Sequence, residues 1–312
     1  MREAIFFILG LILNAIGSLK LIMWWFINIP PLKILKLFYV SINALIKSGL
    51  AKSNLRVISK KELLLKKKTK RIFIYGSGYS LNKISDKEWR KIKKYDSLGF
   101  NGSFHLKKID FSYHILRAGY ETVDGIFNWK AYANYALSII NGNFHMDKTI
   151  FLFPRGIASS FTNNIIGNNL WPKHKPIFFY NTDRVGTKPH QNVLLGLPQR
   201  AGTLCMAISF AVSMKYEEIV MIGVDLYDNQ YFWVPKNKTL NWSSKEEREI
   251  ISDLTVRGIS AKDKHNTVNN GVVEIVQNWA DYLYRTHKVR LTVYNKKSLL
   301  AGPVEVFRWH RD

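Results

Sequence analysis

The stretch Arg71–Ile84, "RIFIYGSGYSLNKI", decides the fold. After Arg71 its next four residues are apolar or β-branched and read with it as a buried strand; "GSG" is a turn, and the spacing after it is helical. A strand that enters a helix through paired glycines can bring backbone N–H groups and Ser80 to a phosphate or a ribose. The dinucleotide fingerprint G-x-G-x-x-G needs a third glycine, and Leu81 stands there. No Lys-Ser/Thr follows either, so the turn is not a P-loop.

Strand and helix patterns alternate beyond it. "DSLGFNGSF" and "DFSYHILRAG" read as strands, as do "KTIFLFPRG", "KPIFFYN", "EEIVMIGVDLY" and "KVRLTVYN". "SLNKISDKEWRKIKKY" reads as a helix with Ser85 capping three residues before Glu88, and "AGTLCMAISFAVSMKY" and "GVVEIVQNWADYLYRTH" as two more. The expected fold is α/β: a mostly parallel, Rossmann-like sheet with helices on both faces. Residues 228–264 are polar and weakly periodic, so they read as a lid.

The totals narrow the class. At 312 residues the chain can bury one core plus an appendage, and nine Trp and fifteen Tyr exclude a disordered chain. The single Cys205 excludes a disulfide framework, and no Cys/His spacing suggests a metal. Net charge is +23, and residues 1–70 hold eleven of it, with thirteen Lys and Arg against Glu3 and Glu62. No recognition helix or aromatic-basic interleaving follows, so nucleic acid is not the expected partner.

The basic segment reads as a membrane device. From Ala4 to Pro30 the only charge is Lys20, a stretch long enough to span a bilayer. "PPLKILKLFYVSINALIKSGLAK" then suits a helix lying against anionic headgroups. The expected organisation is a spanning or interfacial segment over 1–50, a basic linker over 51–70, and a catalytic domain over 71–312. By the positive-inside rule that domain lies on the cytoplasmic side of the inner membrane.

Ligands of such sheets bind beyond the C-terminal strand ends. Gly76, Ser77, Gly78 and Ser80, then Asn101, then Asp225 collect there. The acidic residue that meets an NAD ribose at the end of a second strand is replaced by Asn101, which argues against a dehydrogenase. Asp225 is placed to accept from ribose hydroxyls, or else is a turn residue. Tyr227 and Tyr231 can donate to a departing phosphate without a metal, or else pack. No Asp-x-Asp is present to hold a metal-bound diphosphate. His265, in a polar stretch before a helix, suits a general base at neutral pH, or else faces solvent.

Taken in order, these blocks resemble the bacterial sialyltransferases of glycosyltransferase family 42. "IYGSGYSL" resembles that family's strand with G-N-G-P-S-L, and "GFNGSF" its second-strand Asn motif. "QRAGTLCMAISFA" resembles its Q-R-x-x-S-G segment and "IGVDLYDNQYF" its G-I-D-F-Y block. "KHNTVNNGVVEIV" through "SLLA" resembles its His region and ending. The likeness covers about 72–302. Ser77 replaces the family's Asn, Ala201 its Ser, and Arg117-Ala118-Gly119 stands where another Asn belongs.

The resemblance implies a variant of the GT-A arrangement. It implies metal-independent, inverting transfer of sialic acid from CMP-sialic acid to a glycan or glycolipid hydroxyl, with no cofactor. Gly76, Ser77, Gly78, Ser80, Asn101, Gly202 and Asp225 then hold the nucleotide-sugar, with Arg200 near donor or acceptor. Tyr227 and Tyr231 steady the leaving phosphate and His265 is the base; a homo-oligomer fits. CMP-Kdo or another CMP-nonulosonate, serving lipopolysaccharide or capsule, stays open as the donor. So do a methyltransferase-like nucleotide enzyme and a non-catalytic, membrane-tethered binder of anionic ligands.

Overall fold

The computed structural model describes residues 42–117, 129–156, 159–228, 230–234 and 265–309. Most of the 1–50 segment and nearly all of the expected lid lie outside the described residues.

Eight strands form one sheet in the order β10-β9-β8-β1-β2-β3-β4-β5, and every neighbouring pair is parallel. They are β1 Arg71–Tyr75, β2 Asp96–Phe100, β3 Tyr113–Ile115, β4 Ile150–Pro154, β5 Ile177–Tyr180, β8 Glu218–Ile222, β9 Arg290–Val293 and β10 Glu305–Val306. A two-stranded pair, β6 Thr182–Asp183 and β7 Leu197–Pro198, stands apart. The strands are continuous apolar runs because a parallel sheet is covered on both faces. Along β1 the faces alternate: Ile72 and Ile74 join one core, Phe73 and Tyr75 the other.

Helices fill both layers. On the Ile72 face lie Thr203–Ser213 and Val272–His287; on the Phe73 face lie Asp86–Ile92, Trp129–Asn141 and Ser160–Gly167. In Thr203–Ser213 every side chain from Leu204 onward is buried. Each large one contributes roughly 1.5–3 kcal/mol, which fixes this helix against the sheet regardless of its weak amphipathicity. Ser85 and Glu88 form the expected reciprocal cap. The helices Trp129–Asn141 and Ser160–Gly167 and the closing strand β10 were not expected from the sequence.

The basic linker expected over 51–70 is folded. Ile58 N donates to Ile177 O at 2.9 Å and Ile177 N to Arg56 O at 2.9 Å, so 56–58 lies along the edge strand β5. Lys60–Leu65 is a helix with a Ser59/Glu62 capping box and a buried Leu63. The buried Asp96 carboxylate then accepts from Lys68 N and Thr69 N at 2.8 and 3.0 Å. Positive charge suggested a linker; the apolar Ile58 and Leu63 among the lysines decided otherwise.

The topology places the site. From β1 the chain moves outward through β2 to β5, then returns to β8 on β1's other side. Connections leave β1 and β8 over opposite faces, which opens a crevice at their C-terminal ends.

Candidate functional site

At that crevice the glycine turn is laced to the end of β8. Gly76 N donates to Ile222 O at 2.9 Å, Gly78 N to Gly223 O at 2.7 Å, and Ser80 N to Asp225 Oδ2 at 2.8 Å. A Cβ on Gly76 would press into the Gly223 carbonyl, and one on Gly78 into the Asp225 carboxylate. Both glycines are therefore required by the meeting of two backbones. Leu81, where a dinucleotide turn has glycine, is buried against Gly223. The close approach that the third glycine normally allows is provided from the facing strand instead.

The N–H groups of Gly76, Gly78 and Ser80 are bonded inside the protein and build the turn. Ser77 differs: its carbonyl accepts from Phe232 N at 3.1 Å, and its N–H has no partner among the described residues. Asp225 is 3% exposed, its Oδ2 holds Ser80 N, and its Oδ1 accepts from Asn295 Nδ2 at 2.8 Å. A carboxylate so buried and bonded clamps the turn.

Of the two tyrosines, Tyr231 meets the turn directly and Tyr227 lies near its Asp225 clamp. Tyr227 lies beside Asn295, past the end of β9, and burial with Asp225 and Asp228 nearby raises its pKa, so it stays a hydroxyl donor. Tyr231 pairs with Gly78 in an antiparallel bridge. Its ring stacks on Trp233 at 4.7 Å, and Trp233 stacks on His105 at 4.2 Å. Trp233 covers Gly102, where a side chain would collide with the indole. His105 bonds Tyr135 Oη at 2.7 Å, and burial, aided by Lys107, pushes its pKa down to about 3. This neutral aromatic wall was missed in the sequence, although the "YFW" run after Asp225 was its signal. Asn101 ends β2 beside it in a left-handed conformation (φ 50°), half-exposed.

His265 joins from a remote part of the chain. Its N–H donates to Leu226 O at 3.1 Å, between Asp225 and Tyr227. It caps the short helix Asn266–Asn269, with Nδ1 2.8 Å from Thr267 Oγ1 and 3.3 Å from Thr267 N. Burial lowers its pKa, which keeps the ring neutral at neutral pH. Gly202, at φ 126°, lies against the Thr267 methyl and starts the buried helix Thr203–Ser213, so the Q-R-A-G segment adjoins the histidine. Arg200 itself is exposed. Thr267 and Asn295 are further residues the sequence did not single out.

The arrangement offers a neutral imidazole, the Tyr227 hydroxyl, a turn with one open N–H, and an aromatic wall. Among the described residues no group of three His, Cys, Asp or Glu could hold a metal ion. The chain matches no known family profile and no curated protein. Among solved structures it is similar to the sialyltransferase CstII from Campylobacter jejuni in complex with the substrate analogue cytidine-5'-monophosphate. The identity is 15%, the TM-score 0.39, and the match covers 76% of this chain and 84% of that one. The sialyltransferase CST-II in complex with trisaccharide acceptor and CMP gives 15%, 0.38, 76% and 85%. A likeness of this strength carries no chemistry from one chain to the other.

Proposed function

We propose that this protein is a glycosyltransferase that moves a 2-keto sugar from its CMP donor to a glycan or glycolipid hydroxyl, with sialic acid the first donor to test. One observation carries the reading. The fold laces three segments from distant parts of the sequence, the glycine turn, the Asp225–Tyr231 block and His265, into one crevice at the strand ends. These are three of the five blocks on which the family 42 resemblance rests.

The chemistry then follows from the residues. Ser77 N–H and the Asn101 amide serve as donors for the nucleotide, while Asp225 holds the turn in shape. The bond from the sugar's anomeric carbon to the phosphate oxygen breaks, and CMP leaves with the electron pair. Tyr227 and Tyr231 donate to that phosphate from either flank. The acceptor oxygen bonds to the anomeric carbon from the opposite side, which inverts it, and its proton passes to His265. For Nε2 to receive that proton, Nδ1 must carry the ring hydrogen and donate to Thr267 Oγ1, and in that tautomer it no longer accepts from Thr267 N. A placed base of this kind contributes ~10²–10⁴-fold.

The test is CMP release by the purified chain from CMP-Neu5Ac and CMP-Kdo, with a glycan acceptor and EDTA present. Release from one donor that persists in EDTA supports the reading and names the sugar. No release from either, together with no CMP binding by calorimetry, would refute it.

A further inference from the structure

Among the described residues, eight large hydrophobic side chains are exposed, and six of them are Ile42, Ile46, Leu50, Val57, Leu64 and Leu65. They lie within 24 consecutive positions, so their clustering needs a cause. The helical residues 42–51 are packed in reverse of an ordinary surface helix. Small Ala44, Ser48 and Ala51 face inward, and close approach to Gly167 is made beside Lys47. Ile42, Ile46 and Leu50, each one turn apart, face outward, with Leu50 77% exposed. In the helix Lys60–Leu65, Leu63 is buried while Leu65 is 73% exposed.

These elements share one end of the molecule. Ala51 and Leu55 pack on the Phe73 face, Val57 pairs with the edge strand β5, and Ile58 and Leu63 pack on the Ile72 face. The segment wraps the β5 edge and lines it with outward apolar groups. The same segment, 42–70, carries nine Lys and Arg against Glu62 alone. Apolar anchors within a cationic field are the signature of a surface that meets anionic lipid.

We propose that the β5 edge docks on an anionic bilayer, so that the folded domain lies against the membrane by this edge. The sequence outside the described residues fits that occupant. The chain reaches Ile42 directly from residues 1–41, whose Ala4–Pro30 stretch holds only Lys20 as charge. The proposal is independent of the transferase reading: it concerns a surface away from the crevice and holds or fails whatever the crevice binds.

The experiment places a fluorophore on cysteines introduced singly as Leu50→Cys, Leu65→Cys and Tyr284→Cys in the full chain. Native Cys205 is fully buried and its thiol pushed up to about 11, so it does not compete for label. Tyr284, 59% exposed, lies on the helix Val272–His287 that leads into β9, six strands from β5 in the sheet, and is the control. The proteins are reconstituted in vesicles of phosphatidylcholine and phosphatidylglycerol containing nitroxide-labelled lipid. Quenching at positions 50 and 65 several-fold above that at 284, weakening when phosphatidylglycerol is omitted, is the expected result. Equal quenching at all three positions overturns the proposal. Labels at 50 and 65 that are shielded from aqueous iodide yet not quenched by lipid also overturn it, because residues 1–41 or a second copy would then cover the edge. Quenching unchanged in phosphatidylcholine alone overturns the anionic preference.

Discussion

The crevice at β1 and β8 and the wrapped edge at β5 break the usual surface rules in opposite directions. At the crevice, polar groups that a ligand could use are turned inward: three turn N–H groups and the Asp225 carboxylate are bonded within the protein. At the edge, apolar groups that a core could use are turned outward, while alanine and serine are buried in their place. The crevice therefore owes its shape to internal bonds and offers few but fixed donors. The edge gains nothing from exposed leucine in water and needs a second phase to cover it. Rigidity suits one region to chemistry, and surplus apolar surface suits the other to contact.

Substitutions can break or sharpen this contrast. The largest effect is expected at His265. His265→Ala should lower turnover by ~10²–10⁴-fold with CMP affinity nearly unchanged, as single-turnover kinetics and calorimetry can resolve. If the proposed transfer holds, the acid limb of the kcat profile of the unsubstituted protein should fall below pH ~6.5, since burial lowers this pKa. A limb above that value would remove His265 as the base. Thr267→Val should cost about one hydrogen bond, ~1 kcal/mol or roughly fivefold in kcat, and Thr267→Ser should restore it. If valine and serine behave alike, the ring does not depend on the hydroxyl.

Next comes Gly78→Ala, which forces a methyl against the Asp225 carboxylate. Overpacking of this kind costs about 1–3 kcal/mol, readable as a lower urea midpoint, and CMP affinity should fall with it. An unchanged midpoint would mean that the two turns are not held as tightly as their bonding indicates. The smallest effect is expected at the edge. Leu65→Glu should leave stability in solution within ~0.5 kcal/mol, because no packed neighbour is lost. A large destabilisation would show that residue 65 is covered within the protein itself.

Much of the architecture was legible. "RIFIY", "IFLFP", "IFFY" and "EIVMI" could be read as strands because a sheet covered on both faces demands unbroken apolar runs. Ser85 and Glu88 announced a helix start because capping is a local interaction. Lys60–Leu65 was misread because lysines bracket its leucines on both sides, and only the neighbouring sheet shows that Leu63 has somewhere to go. Gly76, Gly78, Ser80 and Asp225 read as ligand groups when considered singly; the fold adds that Ser80 and Asp225 are bonded to each other and that both glycines meet the end of β8.

What the sequence determined by itself was periodic and local: an alternating α/β chain, a glycine turn that is neither a dinucleotide fingerprint nor a P-loop, and charge gathered toward one end. The tertiary structure decided which strand lies beside β1, and hence that Asp225 meets Ser80 across 145 positions of sequence. It also decided which apolar residues of 42–65 find a core and which do not. Hydrogen bonds and burial between distant segments depend on the order of strands in the sheet, and that order is a property of the packed whole that no local stretch encodes.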